Sequence, residues 1–250
     1  MIVDTHCHIY EEYYENIDEF IKEIEEENII LIVNGINPKT NKEVINLTKR
    51  YPNVYGALGF HPSEVDNIKD EDLLELEKQL KIDKIVGLGE IGLDYYWRDD
   101  NRERQIDIFR KQLKIAEKNK YPVIIHNRES TEDMLFILKE YKLKGIMHAY
   151  TKSIELAKEF IKLGYKIGIG GVLTFKNTNL KEVVKDLDIE KIVLETDSPY
   201  LTPEPNRGKQ NEPKNIKYVA KELSKIKNIP YEKLKKIILN NTLEIFDLDL

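Results

Sequence analysis

The sequence predicts a (β/α)8 barrel, an α/β fold, on three observations. Eight apolar runs of strand length recur along 250 residues, each followed by a stretch with helical rhythm, and the first run ends in "DTHCHIY" without a glycine-rich turn. Apolar strands alternating with amphipathic helices indicate parallel strands covered by crossover helices, and eight such units fill about 250 residues in a closed barrel. An open doubly wound sheet would also alternate, but it usually carries a glycine-rich phosphate loop after its first strand.

In chain order the predicted strands are Ile2 to His8, Ile29 to Asn34, Val54 to Phe60, Ile85 to Gly89, Val123 to His126, Ile146 to Tyr150, Tyr165 to Gly170 and Ile192 to Glu195. The 3.6-residue spacing of Ile17, Phe20, Ile21 and Ile24 predicts a helix after the first strand, and that of Ile106, Phe109, Leu113 and Ala116 one after the fourth. The acidic run from Glu11 to Asn28 reads as a solvated helix face. The tail from Asn211 to Leu250 reads as two further helices, the second entered through Pro230. No Ser/Gly linker or low-complexity tract divides the chain, so one domain over residues 1–250 is expected.

Composition removes several functional classes. With 41% hydrophobic and 34% charged residues the chain can bury a large core and remain soluble, so wholesale disorder is excluded. A single Cys makes neither an internal disulfide nor a cysteine-based zinc site, which points to a reducing, cytoplasmic setting. No apolar run approaches the ~20 residues of a membrane span, and the N-terminus has neither a basic leader region nor a cleavage site. The net charge of −6 disfavours a protein that coats nucleic acid through a broad basic surface.

Chemistry gathers at the strand ends. The five histidines, His6, His8, His61, His126 and His148, all lie at or just past the C-terminal end of a predicted strand, the face on which barrels build active sites. Alternation along the first strand puts Asp4, His6 and His8 on one face and turns Cys7 away into packing. Glu90 ends the fourth strand in "GLGEIGLDYYW", and Asp197 follows the eighth in "VLETDSPYLTP". Imidazole and carboxylate donors together suit Zn or Mn, and with water Mg. Two ions about 3.5–4 Å apart need a bridging carboxylate, for which Glu90 is the candidate.

The ordered set "DTHCH", "GFHP", "GEIGLDYYW", "PVIIHNRES", "HAY" and "ETDSPYLTP", followed by "RGKQNEP", resembles the TatD family of metal-dependent deoxyribonucleases from Asp4 to Pro213. The resemblance implies a barrel with two divalent cations (Mg, Mn or Zn) that hydrolyses DNA phosphodiesters, often from the 3′ end. It implies that His6, His8 and Asp197 hold the first ion, that His126 and His148 hold the second, and that Glu90 is shared. Asp197 would also accept a proton, and His61 would contact substrate phosphate from outside the ion shell. The chain departs from the family pattern at Lys152, where a Gly is expected, and at Asn127, where a Ser is common.

An anionic substrate calls for cations, and Arg128, Lys152, Arg207 and Lys209 all fall in predicted strand-end loops. Arg128 is the strongest of them, because a guanidinium fork suits phosphate oxygens. Tyr95, Tyr96 and Trp97 follow Glu90, where a ring could stack on an unpaired base. The expected partner is therefore DNA with a short or single-stranded end, with no membrane and no obligate protein partner. The competing reading is hydrolysis of another ester or amide, as in the wider amidohydrolase superfamily, or removal of a D-amino acid from charged tRNA. A barrel that only binds metal fits poorly, since all six candidate ligands are present.

Overall fold

The computed structural model describes residues 1–250 and shows eight parallel strands in the order β1 to β8 around one sheet. They are β1 (Ile2–Cys7), β2 (Ile29–Asn34), β3 (Val54–Leu58), β4 (Ile85–Asp94), β5 (Val123–Arg128), β6 (Gly145–Met147), β7 (Tyr165–Ile169) and β8 (Ile192–Leu194). One helix follows each strand: α1 (Ile17–Glu26), α2 (Pro38–Arg50), α3 (Asp70–Gln79), α4 (Arg102–Asn119), α5 (Thr131–Leu138), α6 (Ile154–Lys162), α7 (Leu180–Asp186) and α8 (Ile216–Lys227). A last helix, α9 (Tyr231–Leu243), is capped by Pro230, so the two-helix reading of the tail holds. No helix is long and apolar enough to cross a membrane.

The seam between β8 and β1 is closed by individual bonds. The Asp197 N–H donates to His6 O (2.9 Å) and the His8 N–H to Ser198 O (2.7 Å). Asp4 accepts the Thr196 N–H at 2.9 Å and its hydroxyl at 2.5 Å. The barrel therefore closes at the strand ends that carry the candidate ligands, and Asp4 is part of the clasp.

Two apolar layers hold the shape. Ile2, Cys7, Leu88, Ile91, Val123 and Ile125 face outward into the cluster shared with the helices, joined by Ile21 and Ile24 of α1. Val3, Ile30, Ile32, Tyr55, Val86, Ile124, Ile146 and Val193 fill the barrel interior, where Ile245 and Phe246 join them from the C-terminal segment. Lys166 points into the same end, with its Nζ 2.5 Å from Glu244 Oε2 and 2.7 Å from Glu190 O.

Several strand limits differ from the sequence reading. β4 runs on to Asp94 and β5 to Arg128, so Glu90 lies inside a strand and Arg128 ends one instead of sitting in a loop. β6 stops at Met147, leaving His148 to Tyr150 beyond it. Regular alternation also fails in β1, where Asp4 pairs with Leu31 but Cys7 with Val33, three residues stepping against two. That bulge lets both Val3 and His6 face the interior, while Asp4 turns to Thr196 instead of joining His6 and His8. Leu88 and Ile91 bracket a similar step in β4, which carries Glu90 inward between two outward-facing residues. Gly92, at φ +151°, allows β4 to continue past it, because a Cβ there would lie 1.9 Å from His126 O.

Phe246 is 1% exposed and stops the lower end of the barrel. Phe246→Ala is expected to cost about 3–5 kcal/mol of unfolding free energy in urea titration, through the cavity it leaves.

Candidate metal centre

The carboxylate of Glu90 lies within 3.6 Å of all five histidines. Its Oε2 is 3.4 Å from His6 Nε2 and 3.4 Å from His8 Nε2. Its Oε1 is 2.9 Å from His126 Nδ1, 3.0 Å from His148 Nε2 and 3.6 Å from His61 Nε2. Asp197 Oδ1 completes the first side, 3.5 Å from both His6 Nε2 and His8 Nε2, which are themselves 3.1 Å apart. The side chains arrive from β1, β4, β5 and the turns after β3, β6 and β8, so only the closed barrel assembles them.

These spacings fit a metal. Four donors held tetrahedrally about 2.0–2.2 Å from one ion stand about 3.3–3.6 Å from each other. His6 Nε2, His8 Nε2, Glu90 Oε2 and Asp197 Oδ1 come near that spacing, the two nitrogens 3.1 Å apart and each 3.4–3.5 Å from the two oxygens. His126 Nδ1, His148 Nε2 and Glu90 Oε1 form a second, tighter group at 2.9–3.3 Å. The donor set, imidazole nitrogen with carboxylate oxygen, suits divalent ions.

The outward nitrogen separates His61 from His8, His126 and His148, while that of His6 is buried without a partner. His8 Nδ1 faces Asn34 O (3.2 Å) and the Tyr10 hydroxyl (2.9 Å), and His126 Nε2 faces Asp94 Oδ2 (2.9 Å). His148 Nδ1 lies 3.5 Å from Glu195 Oε1. In each case an acceptor can keep the proton on the outer nitrogen and leave the inner lone pair for an ion. His61 is arranged the other way, because its Nδ1 accepts the Ser63 N–H at 3.1 Å. Its proton then sits on Nε2, facing the centre, where it can donate to an anionic oxygen.

Asp94 and Glu195 are absent from the sequence-based site. Glu195 is fully buried, accepts the Ala149 N–H at 2.5 Å, and has room only because residue 168 is glycine; a Cβ there would lie 2.4 Å from Glu195 Oε2. The period-two spacing of Glu195 and Asp197 was the available signal. Of the four expected cations, Arg128 and Lys152 line the cleft of about 730 Å³ over the centre, as does Asn127. Arg207 and Lys209 do not. Arg207 packs its guanidinium 3.8 Å from the centre of the Phe175 ring and donates to Thr202 O, and Lys209 is exposed outside the cleft.

Charge within the cluster sets its proton balance. Burial works against an ionised Glu90, but His148, His61 and His6, with the hydrogen bond from His126, hold its carboxyl well below the usual range. Burial would lower the three outward-anchored histidines, yet carboxylates prevail and raise them: Asp197 and Glu90 at His8, Asp94 and Glu90 at His126, Glu90 and Glu195 at His148. Burial dominates at His61, which is lowered to about 3, and at His6, which is also lowered. A ligand histidine must be neutral, so an entering cation displaces protons from His8, His126 and His148. Affinity for a divalent ion should rise from pH 6 to pH 8 with net proton release, read by calorimetry in buffers of different ionisation enthalpy.

The family described as TatD related DNase matches residues 3–247. Over 98% of this chain and 99% of its own length, YabD of Bacillus subtilis is 37% identical, and MJ1582 of Methanocaldococcus jannaschii is 38% identical over 98% and 96%; both are named uncharacterized metal-dependent hydrolases. The crystal structure of YjjV, a TatD homologue from Escherichia coli K12, superposes with a TM-score of 0.93 at 29% identity, covering 99% of this chain and 98% of that one. The fold, the donor cluster and these matches agree: the chain belongs to the TatD-related DNase family.

Proposed function

We propose that the protein is a metal-dependent hydrolase that cleaves DNA phosphodiester bonds at strand ends, with two divalent cations (Mg, Mn or Zn) sharing Glu90. The observation that carries this reading is the division of one buried carboxylate between two donor groups, Oε2 toward His6 and His8 and Oε1 toward His126 and His148. When bound, such a pair of ions supplies Lewis acidity and lowers the pKa of water at the site.

The chain's own groups divide the remaining work. Glu90 and Asp197 place negative charge where cations are needed, and Asp197, on the cleft side, is positioned to take a proton from water. The His61 Nε2–H and the Arg128 guanidinium donate toward the same cleft, suited to the non-bridging oxygens of a phosphodiester. Arg128 is held with its guanidinium carbon 3.8 Å from the centre of the Tyr96 ring, which limits its freedom before substrate arrives. The overall charge of −6 does not oppose this, because exposed acids such as Asp18, Glu19, Glu25 and Glu26 lie on the outer helix α1, away from the cleft, whereas Arg128 and Lys152 line it.

The test is metal-stripped protein reloaded with Mg, Mn or Zn and offered single-stranded DNA, duplex DNA, RNA and a D-aminoacyl ester. Metal-restored cleavage of DNA is expected, with Glu90→Gln lowering turnover about 10²–10³-fold or more while the circular dichroism spectrum is unchanged. Turnover of the ester alone, or near wild-type DNA cleavage by Glu90→Gln, would overturn the proposal.

A further inference from the structure

Two sets of exposed aromatic rings stand on opposite sides of the donor cluster. Trp97 and Tyr96, 71% and 56% exposed, follow β4 beside β5, whereas Tyr200, 51% exposed, follows β8 beside β1. Strands run in sequence around the barrel, so these two places are half a turn apart, and both Trp97 and Tyr200 line the cleft over the centre.

Each ring is displayed by a turn tied to a donor residue. Asp94 holds His126 through Oδ2 and, through Oδ1, accepts the backbone N–H of Tyr96 at 2.9 Å and of Trp97 at 3.4 Å. Across the cleft the Tyr200 N–H donates to Asp197 O at 2.8 Å, its hydroxyl lies 2.9 Å from that of Tyr13, and its ring is 6.2 Å from the His8 ring. The turns that display the rings are thus fixed relative to the donor cluster, and each ring has an edge-on aromatic neighbour, Tyr96 at 5.0 Å for Trp97 and Tyr13 at 6.3 Å for Tyr200, while most of its surface stays exposed. The Arg128 guanidinium carbon lies closest to the Tyr96 ring, 3.8 Å from its centre, and 5.2 Å from that of Trp97, so Trp97, the more exposed of the two and the one that lines the cleft, offers the larger free surface on its side.

We propose that Trp97 and Tyr200 each stack one of the two nucleobases flanking the scissile phosphate, so that the site takes an unpaired dinucleotide step. This rests on the phosphodiesterase reading above and assigns the two residues, one on each wall of the cleft, that hold the bases of such an unpaired end. Bases drawn to opposite walls cannot pair with a complementary strand, so a duplex must fray before it is cut. Stacking on an aromatic ring tolerates any base, and its loss weakens binding about five- to hundredfold per ring. Arg128, beside Trp97 in the same cleft, is the cation that meets the phosphate joining the two bases.

The test compares a single-stranded oligonucleotide with the same strand carrying abasic residues at its two terminal positions, using metal-loaded wild type, Trp97→Ala and Tyr200→Ala of equal metal content. Wild type should favour the natural strand, and each variant should lower the natural-to-abasic ratio of kcat/KM about tenfold, chiefly through KM. An unchanged ratio in both variants overturns the stacking proposal, and a change in only one overturns the paired arrangement. A wild type that cleaves neither strand overturns the phosphodiesterase reading together with it.

Discussion

Glu90 is 3% exposed, and every histidine of the chain lies within 3.6 Å of its carboxylate. A buried carboxylate is costly unless opposite charge compensates it, and imidazoles supply that charge only while protonated. The cluster is therefore an arrangement in which protons and metal ions compete for the same lone pairs. Much of the surrounding structure follows from this demand. Asn34 O, Asp94 and Glu195 stand outside the rings as acceptors, and His61 alone is turned to present a donor.

The barrel meets that demand through departures from regularity. An evenly alternating β1 could not send both Val3 to the interior packing and His6 to the centre, and the bulge before Cys7 resolves the conflict. The step between Leu88 and Ile91 does the same for Glu90, and Gly92 lets β4 run on close against β5. Asp94 lies at the end of that extension. From there it reaches both His126 and the turn that displays Tyr96 and Trp97. Asp4 closes the seam on Thr196, the residue before Asp197, whose own N–H bonds His6 O, so closure of the sheet also places that carboxylate.

The eight-unit fold was legible because strand-length apolar runs and helical periodicity are local properties of the chain. The gathering of His6, His8, Glu90, His126, His148 and Asp197 was legible too, since parallel strands bring their C-terminal ends to one face. Bulges were not, because they depend on how neighbouring strands pair and leave no composition signal; hence the misplaced Asp4 and the shortened β4. Asp94 and Glu195 escaped notice because they touch only the backs of histidines, a relation set by tertiary contact. Arg207 was misjudged for a similar reason, as nothing local shows that Phe175 is its partner.

The central claim is that Glu90 is shared between two cations. Anomalous diffraction from crystals of the Mn- or Zn-loaded protein tests it directly. The account predicts two peaks about 3.5–4 Å apart, with Glu90 Oε2 beside the His6–His8–Asp197 ion and Oε1 beside the His126–His148 ion. A single fully occupied ion, or a pair in which Glu90 touches only one member, would contradict it.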